Sequence, residues 1–149
     1  MGWKMDHFWI VWLCGMVVIW PTWLWISVQS RRKIGEPLVP KAPANTIFCE
    51  RGASGKARGS ILGNAHNCLM VSVTHVELWV TPIFPFNLIA PYGVMGLEYR
   101  VPKSKVLRAE IRKRVFGSAV EVELSSEKGP RTLSLQLKQP EAFLAALQR

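Results

Sequence analysis

A long apolar run without a charge lies near the start of the chain, from Phe8 to Val28. At about 1.5 Å of rise per residue, this run forms a helix of roughly 31 Å, which matches the hydrocarbon core of a bilayer. A water-soluble helix needs a polar face, and no polar face can be drawn on these residues. The sequence therefore predicts a transmembrane helix over 8–28, preceded by a short tail over 1–7.

A cleavable secretory signal is the alternative for this segment, and several features oppose it. The run is longer than a typical signal core, it carries tryptophan as far as Trp25, and no small-x-small cleavage site follows it. Three basic residues, 31–33, come next, whereas only Lys4 and Asp6 are charged before the run. Because basic flanks stay in the cytoplasm, we expect a single-pass inner-membrane protein with its N-terminus outside and its C-terminal domain cytoplasmic.

The charge of the chain belongs to the part that follows this helix. The sequence has 19 Lys and Arg against 10 Asp and Glu, and the charges within 1–30 cancel, so the net charge of +9 lies in 31–149. A basic domain close to the inner leaflet is attracted to anionic lipid headgroups. Nucleic acid is not an expected partner, because the sequence has no zinc-finger, helix-turn-helix or RNP-type motif.

Two segments separate the helix from the patterned part of the chain. Residues 29–47 hold three prolines and a basic cluster, which predicts a semi-extended linker. Residues 51–63 are rich in glycine but lack the spacing of a phosphate-binding loop. We therefore expect 51–63 to form a flexible loop or an irregular edge strand.

From residue 68 onward, apolar and polar residues alternate, which predicts a series of short antiparallel strands. In 105–114, this alternation predicts that Leu107, Ala109 and Ile111 point to one side of a strand. An amphipathic helix with Pro140 at its first position is predicted to end the chain.

Four segments carry a resemblance to a known fold. They are CLMVSVTHVELWV, YRVPKSKVLRAEI, SAVEVELSSEKGPRTLSLQLK and PEAFLAALQ, and together they span 68–148. In their order and spacing the chain resembles the pleckstrin-homology-like (PH-like) superfold, in particular bacterial membrane-anchored PH or GRAM-like domains. The resemblance implies a mainly β chain, with a small antiparallel PH-like barrel or sandwich over 48–149 capped by the C-terminal helix. It also implies a domain that binds lipids, peptides or partner proteins and has no characteristic catalytic residues.

A cationic surface is the first candidate binding site. Arginine suits phosphate groups because its planar fork can bind two oxygens. The candidate contact residues for anionic lipid or an acidic partner are Arg100, Lys103, Lys105, Arg108, Arg112 and Arg114. An ordinary solvated edge strand is the alternative for this cluster.

An apolar loop is the second candidate. Residues 78–97 carry no charge, but their prolines and glycines oppose a second transmembrane helix. Within the loop 82–94, Phe84, Phe86 and Leu88 need burial. They could pack on their own domain, dock a partner or enter the membrane interface. We expect the loop to be mostly packed, with Phe86 and Leu88 at the edge of such a contact.

Catalytic and metal-binding residues are poorly represented. Cys68 could pair with His66 or His75, but sequence proximity shows neither an activated thiol nor a base within reach. Together with Cys49, these residues lack the paired spacing of zinc ligands. We therefore expect no enzyme activity, no cofactor and no metal.

The sequence thus favours a membrane-anchored binding or scaffolding module whose partner is membrane lipid or an acidic protein. The alternative is an accessory subunit of a multi-component membrane complex, with other membrane proteins as partners. Its contacts would be the loop 82–94 and the helix, since six of the seven tryptophans lie in the first 25 residues.

Overall fold

The computed structural model describes residues 6–58, 64–88, 97–114, 117–126 and 129–149. A long helix, α1, covers Asp6–Lys33, and a short helix, α2, covers Pro140–Gln148. Seven strands lie between them: β1 (Thr46–Ala57), β2 (Asn64–Thr74), β3 (Glu77–Pro82), β4 (Tyr99–Pro102), β5 (Val106–Arg114), β6 (Gly117–Leu124) and β7 (Arg131–Gln136). Single 3-10 turns occur at Phe86–Leu88 and Lys103–Lys105.

The strands form one antiparallel sheet in the order β4-β3-β2-β1-β7-β6-β5. The long strand β1 joins the two halves, because it pairs with β2 on one side and with β7 on the other. The sheet is not closed, and β4 and β5 are its edges. The prediction of a mainly β chain with an apolar N-terminal helix and a C-terminal helix is confirmed.

The glycine-rich segment is a correction to the sequence analysis. Residues 51–57 lie in the central strand β1, not in a loop or at an edge, while 59–63 fall outside the described residues. A Cβ atom on Gly55 would lie 2.6 Å from Leu69 Cδ1 and 3.1 Å from Leu135 Cδ2. Glycine is required there because leucines of both neighbouring strands close over its backbone, so the glycine content reflects close packing.

A second correction concerns β5. Its pairing with β6 shifts register between Val106 and Arg108, which is a bulge at Leu107. The extra residue changes the phase of the alternation, so Val106, Ala109 and Ile111 pack against the core. Leu107, predicted to share their side, is instead 59% exposed.

The core lies on the inner face of the sheet, under α2. Phe143 of α2 is fully buried and meets Phe48 of β1 edge to face, with 5.6 Å between ring centroids. The predicted helix start at Pro140 is confirmed, with the proline in the first turn. Leu144 and Leu147 pack against the same core.

The helix α1 contributes little to this core. Over Trp12–Lys33 it is long and apolar enough to cross a membrane, and only 6% of that span is buried in the molecule. Because its apolar side chains are exposed, α1 is not a core helix of the β domain. Its last turns touch the domain beside the 3-10 turn Phe86–Leu88.

Candidate functional site

The helix α1 is capped at its C-terminal end by a Schellman motif. The Glu36 N–H donates to the Arg31 carbonyl at 3.0 Å, and the Gly35 N–H donates to the Arg32 carbonyl at 3.2 Å. Gly35 takes the left-handed conformation, with φ of 73°, that this motif requires. The helix therefore stops at a defined residue, and the chain turns back toward the sheet.

A buried ion pair attaches the same helix end to the domain. The Arg31 guanidinium contacts the Glu98 carboxylate, and the two side chains are 3% and 6% exposed. Arg31 Nε also donates to the Asn87 carbonyl at 2.9 Å. Ser27, one turn earlier on the same face, is fully buried. Helix, 3-10 turn and the entry to β4 therefore meet at one point, which we call the junction (Ser27, Arg31, Asn87 and Glu98).

The segment that follows α1 packs on the outer face of the sheet. Asn87 Nδ2 donates to the Leu38 carbonyl at 2.8 Å. Residues of the same segment line a small cavity together with Met70 and Trp79 of the sheet, namely Glu36, Pro37, Pro40 and Lys41. Met70 is fully buried although it lies outside the inner core. The segment thus covers the outer face of β2, which explains why this strand is buried on both faces.

The apolar loop is placed next to the junction with its aromatic rings exposed. Phe84 is 52% exposed and Phe86 is 42% exposed, while Leu88 is half-buried. Phe84 is therefore not packed into the domain as expected, whereas the partner or membrane contact expected at Phe86 and Leu88 stays a prediction. Residues 89–94 of the loop fall outside the described residues.

Two of the predicted cationic contacts are engaged within the domain. Arg100 lies over the Trp79 ring at 4.3 Å and donates to Glu77 at 3.1 Å. Hydrogen bonds from the Trp79 indole and from Arg100 lower the pKa of Glu77. Lys103 Nζ donates to the Ala146 carbonyl near the end of α2 at 2.7 Å. This hydrogen bond ties α2 to the sheet, and burial lowers the pKa of Lys103.

Arg108 and Arg112 lie on the outer face of β5, where carboxylates partly neutralise them. Glu110 accepts from Arg108 at 2.8 Å and from Arg112 at 3.2 Å, and Arg112 also reaches Glu121 at 3.1 Å. Arg108 and Arg112 border a cleft of about 430 Å³, which is also lined by Lys56 and Arg58 at the C-terminal end of β1. The backbone of Arg114 ends β5, and its side chain is outside the described part.

A second groove, of about 330 Å³, lies between β4 and the end of the β6–β7 hairpin. Among the described residues that line it, Arg100, Lys105 and Arg131 are cationic and none is acidic. Ser125 and Ser126 add hydroxyl groups. We call this site the seam groove. Sequence reasoning missed Arg131 because it starts a separate strand, and only the pairing of β6 with β7 brings it near Lys105.

The cysteine and histidine residues do not assemble into a reactive group in the part that the structure describes. Burial raises the pKa of the Cys68 thiol, partly offset by a hydrogen bond from the His66 backbone, so the reactive thiolate is disfavoured. His66 Nε2 lies 3.3 Å from Asn64 Nδ2. No three His, Cys, Asp or Glu side chains among the described residues converge as metal ligands.

Comparisons with known proteins show a likeness of fold only. No family model matches the chain, and no curated protein matches its sequence. The fold is similar to that of a chain in the solved structure "The 8S snRNP Assembly Intermediate", with a TM-score of 0.51. The match covers 74% of this chain and 86% of that chain at 10% sequence identity. The β domain therefore has an arrangement of strands that also occurs in a protein of unrelated sequence.

Proposed function

We propose that the protein is a single-span membrane protein whose cytoplasmic PH-like domain is a non-enzymatic binding or scaffolding module, held close to the bilayer. The seven-stranded antiparallel sheet and the α2 helix over its core support the PH-like assignment. Anionic phospholipid headgroups or an acidic protein partner are the ligands that the basic surface suits.

The junction is the observation that carries this proposal. A cleavable signal is discarded after the protein is exported, so its end has no reason to be integrated into the fold. Here Arg31 is only 2% exposed and is paired with Glu98 from the entry to β4. Removing α1 would leave the Glu98 carboxylate buried without its cation, which is costly. The helix therefore belongs to the mature fold and serves as its anchor.

The charge distribution supports a cytoplasmic domain. Arg32 and Lys33, in the last turn of α1, are exposed beside the buried Arg31. The whole net charge of +9 lies on this side of the helix. By the positive-inside rule, this flank stays at the cytoplasmic face of the inner membrane.

The seam groove is the part of the basic surface best suited to a phosphate group. Arg108 and Arg112 share their charge with Glu110 and Glu121, whereas no described carboxylate lines the seam groove. A bound phosphate there would meet the cations of Lys105 and Arg131, which form no ion pair with another described residue. Guanidinium and ammonium groups form strong, charge-assisted hydrogen bonds with phosphate oxygens, and the serine hydroxyls can add further donors.

Retention of lipid by the full-length protein tests this assignment. Native mass spectrometry after extraction in mild detergent should show bound anionic phospholipid, and Lys105→Glu with Arg131→Glu should reduce it several-fold. The matched control, Lys113→Glu with Lys138→Glu, makes the same change of net charge on exposed residues away from the groove. Equal retention in wild type and groove variant would remove the lipid assignment.

Reversal of Arg108, Arg112 and Arg114 is a second comparison in the same assay. We expect it to reduce lipid retention less than the groove variant does, because Glu110 and Glu121 already compensate two of these cations. A larger loss of retained lipid than in the groove variant would indicate that the lipid contact lies on the outer face of β5.

An accessory subunit of a membrane complex is the alternative function. The exposed rings of Phe84 and Phe86 and the open sheet edges β4 and β5 favour it, because unpaired edges and apolar patches are common docking surfaces. Purification in mild detergent discriminates the complex subunit from the lipid-binding module. Discrete membrane proteins that co-purify in fixed ratio support the subunit, and lipid alone supports the binding module.

A further inference from the structure

We infer that Phe84 and Phe86 enter the interfacial layer of the same bilayer that α1 spans, and so form a second membrane contact that fixes the orientation of the β domain. This inference rests on the proposed membrane anchor. The inference goes beyond the anchor because it assigns a second membrane contact to the exposed rings of Phe84 and Phe86.

The depth of the loop follows from the junction. Arg31 lies three residues beyond Val28, the end of the apolar run, which is about 4.5 Å along the helix axis. The headgroup layer on each side of the hydrocarbon core is about 5–8 Å thick. Arg31 Nε donates to the Asn87 carbonyl at 2.9 Å, so the 3-10 turn lies at the level of that layer. Phe86 begins this turn, and Phe84 precedes it by two residues.

The chemistry of the loop suits this layer. Both phenylalanine rings are about half exposed although each is fully apolar. The exposed cations Arg32 and Lys33 flank the same junction and can contact anionic headgroups. Apolar rings combined with nearby basic residues are the composition of segments that lie in a membrane interface.

The 3-10 turn Phe86–Leu88 is held at this level by hydrogen bonds of Asn87. Asn87 is bound on both sides, through its carbonyl to Arg31 and through its side chain to the Leu38 carbonyl. Arg31 is bound in turn to Glu98, at the entry to β4. The rings are therefore presented beside the helix by a structure that is ordered before any membrane contact forms, which lowers the entropic cost of insertion.

Photocrosslinking of the full-length protein tests the inference. Benzoylphenylalanine is placed singly at positions 84, 86, 76 and 18, and the protein is reconstituted into vesicles of phosphatidylcholine and phosphatidylglycerol. Lipid adducts are then quantified by mass spectrometry. Val76 is the matched control, because it is an exposed apolar residue in the β2–β3 turn, at the far end of β3 and about 20 Å away. Val18 reports whether α1 itself is in the bilayer.

We expect lipid adducts at 84 and 86 within several-fold of the yield at 18, and at least tenfold above the yield at 76. Adducts at 18 with only background at 84 and 86, or adducts at 84 and 86 to protein alone, would overturn the inference and leave the anchor intact. Loss of adducts at 18 would instead overturn the proposed anchor. Circular dichroism of each probe variant checks that the domain remains folded, and positions 84 and 86 serve as independent reporters.

The junction provides a second readout. Glu98→Gln removes the charge that holds Arg31 and should reduce lipid adducts at 84 and 86 several-fold without changing those at 18. Unchanged adducts at both loop positions would show that the loop reaches the membrane independently of the junction, which contradicts the argument from depth.

Discussion

Arg31 has two roles that its sequence position alone does not separate. As part of a basic flank it predicts the orientation of the helix, and as a buried side chain it joins the helix to the domain. Basic residues after an apolar run are expected to be solvated, so burial could not be inferred. Its partner Glu98 is 67 residues away in sequence, and no local pattern links the two.

The energetic weight of the junction can be measured by removing one partner. Glu98→Ala leaves the Arg31 charge buried without a carboxylate, and we expect a loss of about 3–5 kcal/mol in the free energy of unfolding. Arg112→Ala breaks an exposed ion pair and should cost about 1 kcal/mol or less. Denaturant unfolding of the full-length protein in detergent compares the two. Equal losses would show that the junction is not a buried, stabilising contact.

Glu77 gives a prediction about pH. Its pKa is lowered in the folded state by hydrogen bonds from Trp79 and Arg100. A lowered pKa stabilises the fold above the unfolded-state pKa, and this stabilisation is lost as the pH falls through the folded-state pKa. Wild type should therefore be more stable than Glu77→Gln at about pH 6, by about 1 kcal/mol or less for a partly exposed group, and the difference should shrink as the pH falls through the lowered pKa of Glu77. A difference that grows on acidification would contradict the assigned hydrogen bonds.

At the scale of elements, strands with regular alternation were predictable and irregular strands were not. β6 and β7 alternate cleanly because one face meets the core and the other meets solvent. The glycines of β1 resembled a loop, since the crowding by Leu69 and Leu135 is visible only once three strands are assembled. The bulge at Leu107 likewise depends on pairing with β6.

The aromatic loop leads to a prediction about stability. Because Phe84 and Phe86 are about half exposed, replacing both with serine should lower the free energy of unfolding by about 1 kcal/mol per site. The matched change Phe143→Ser removes a fully buried ring that contacts Phe48, and should cost about 3–5 kcal/mol. Thermal unfolding in detergent compares the variants. A loss in the loop variant as large as that of Phe143→Ser would show that the loop rings belong to the core.

At the scale of the molecule, the sequence predicted the parts but not their assembly. The apolar helix, the mainly β domain and the terminal helix each leave a local pattern, and all three are present. The candidate cations did not form one surface. Arg100 and Lys105 line the seam groove, whereas Arg108 and Arg112 lie on the outer face of β5, and carboxylates pair with Arg100, Arg108 and Arg112. The segment between helix and domain packs on the sheet instead of acting only as a spacer.

We propose that α1 spans the membrane and that the β domain lies on its cytoplasmic side. The native cysteines allow a direct measurement, because Cys14 in α1 and Cys49 in β1 are both exposed on the molecule. Sealed right-side-out and inside-out vesicles are treated with a membrane-impermeant maleimide, and each site is quantified by mass spectrometry against the fully unfolded protein. We expect the maleimide to label Cys49 only in inside-out vesicles, and we expect the bilayer to protect Cys14 in both vesicle preparations. Reaction of Cys14 in sealed vesicles, or of Cys49 in right-side-out vesicles, would contradict it.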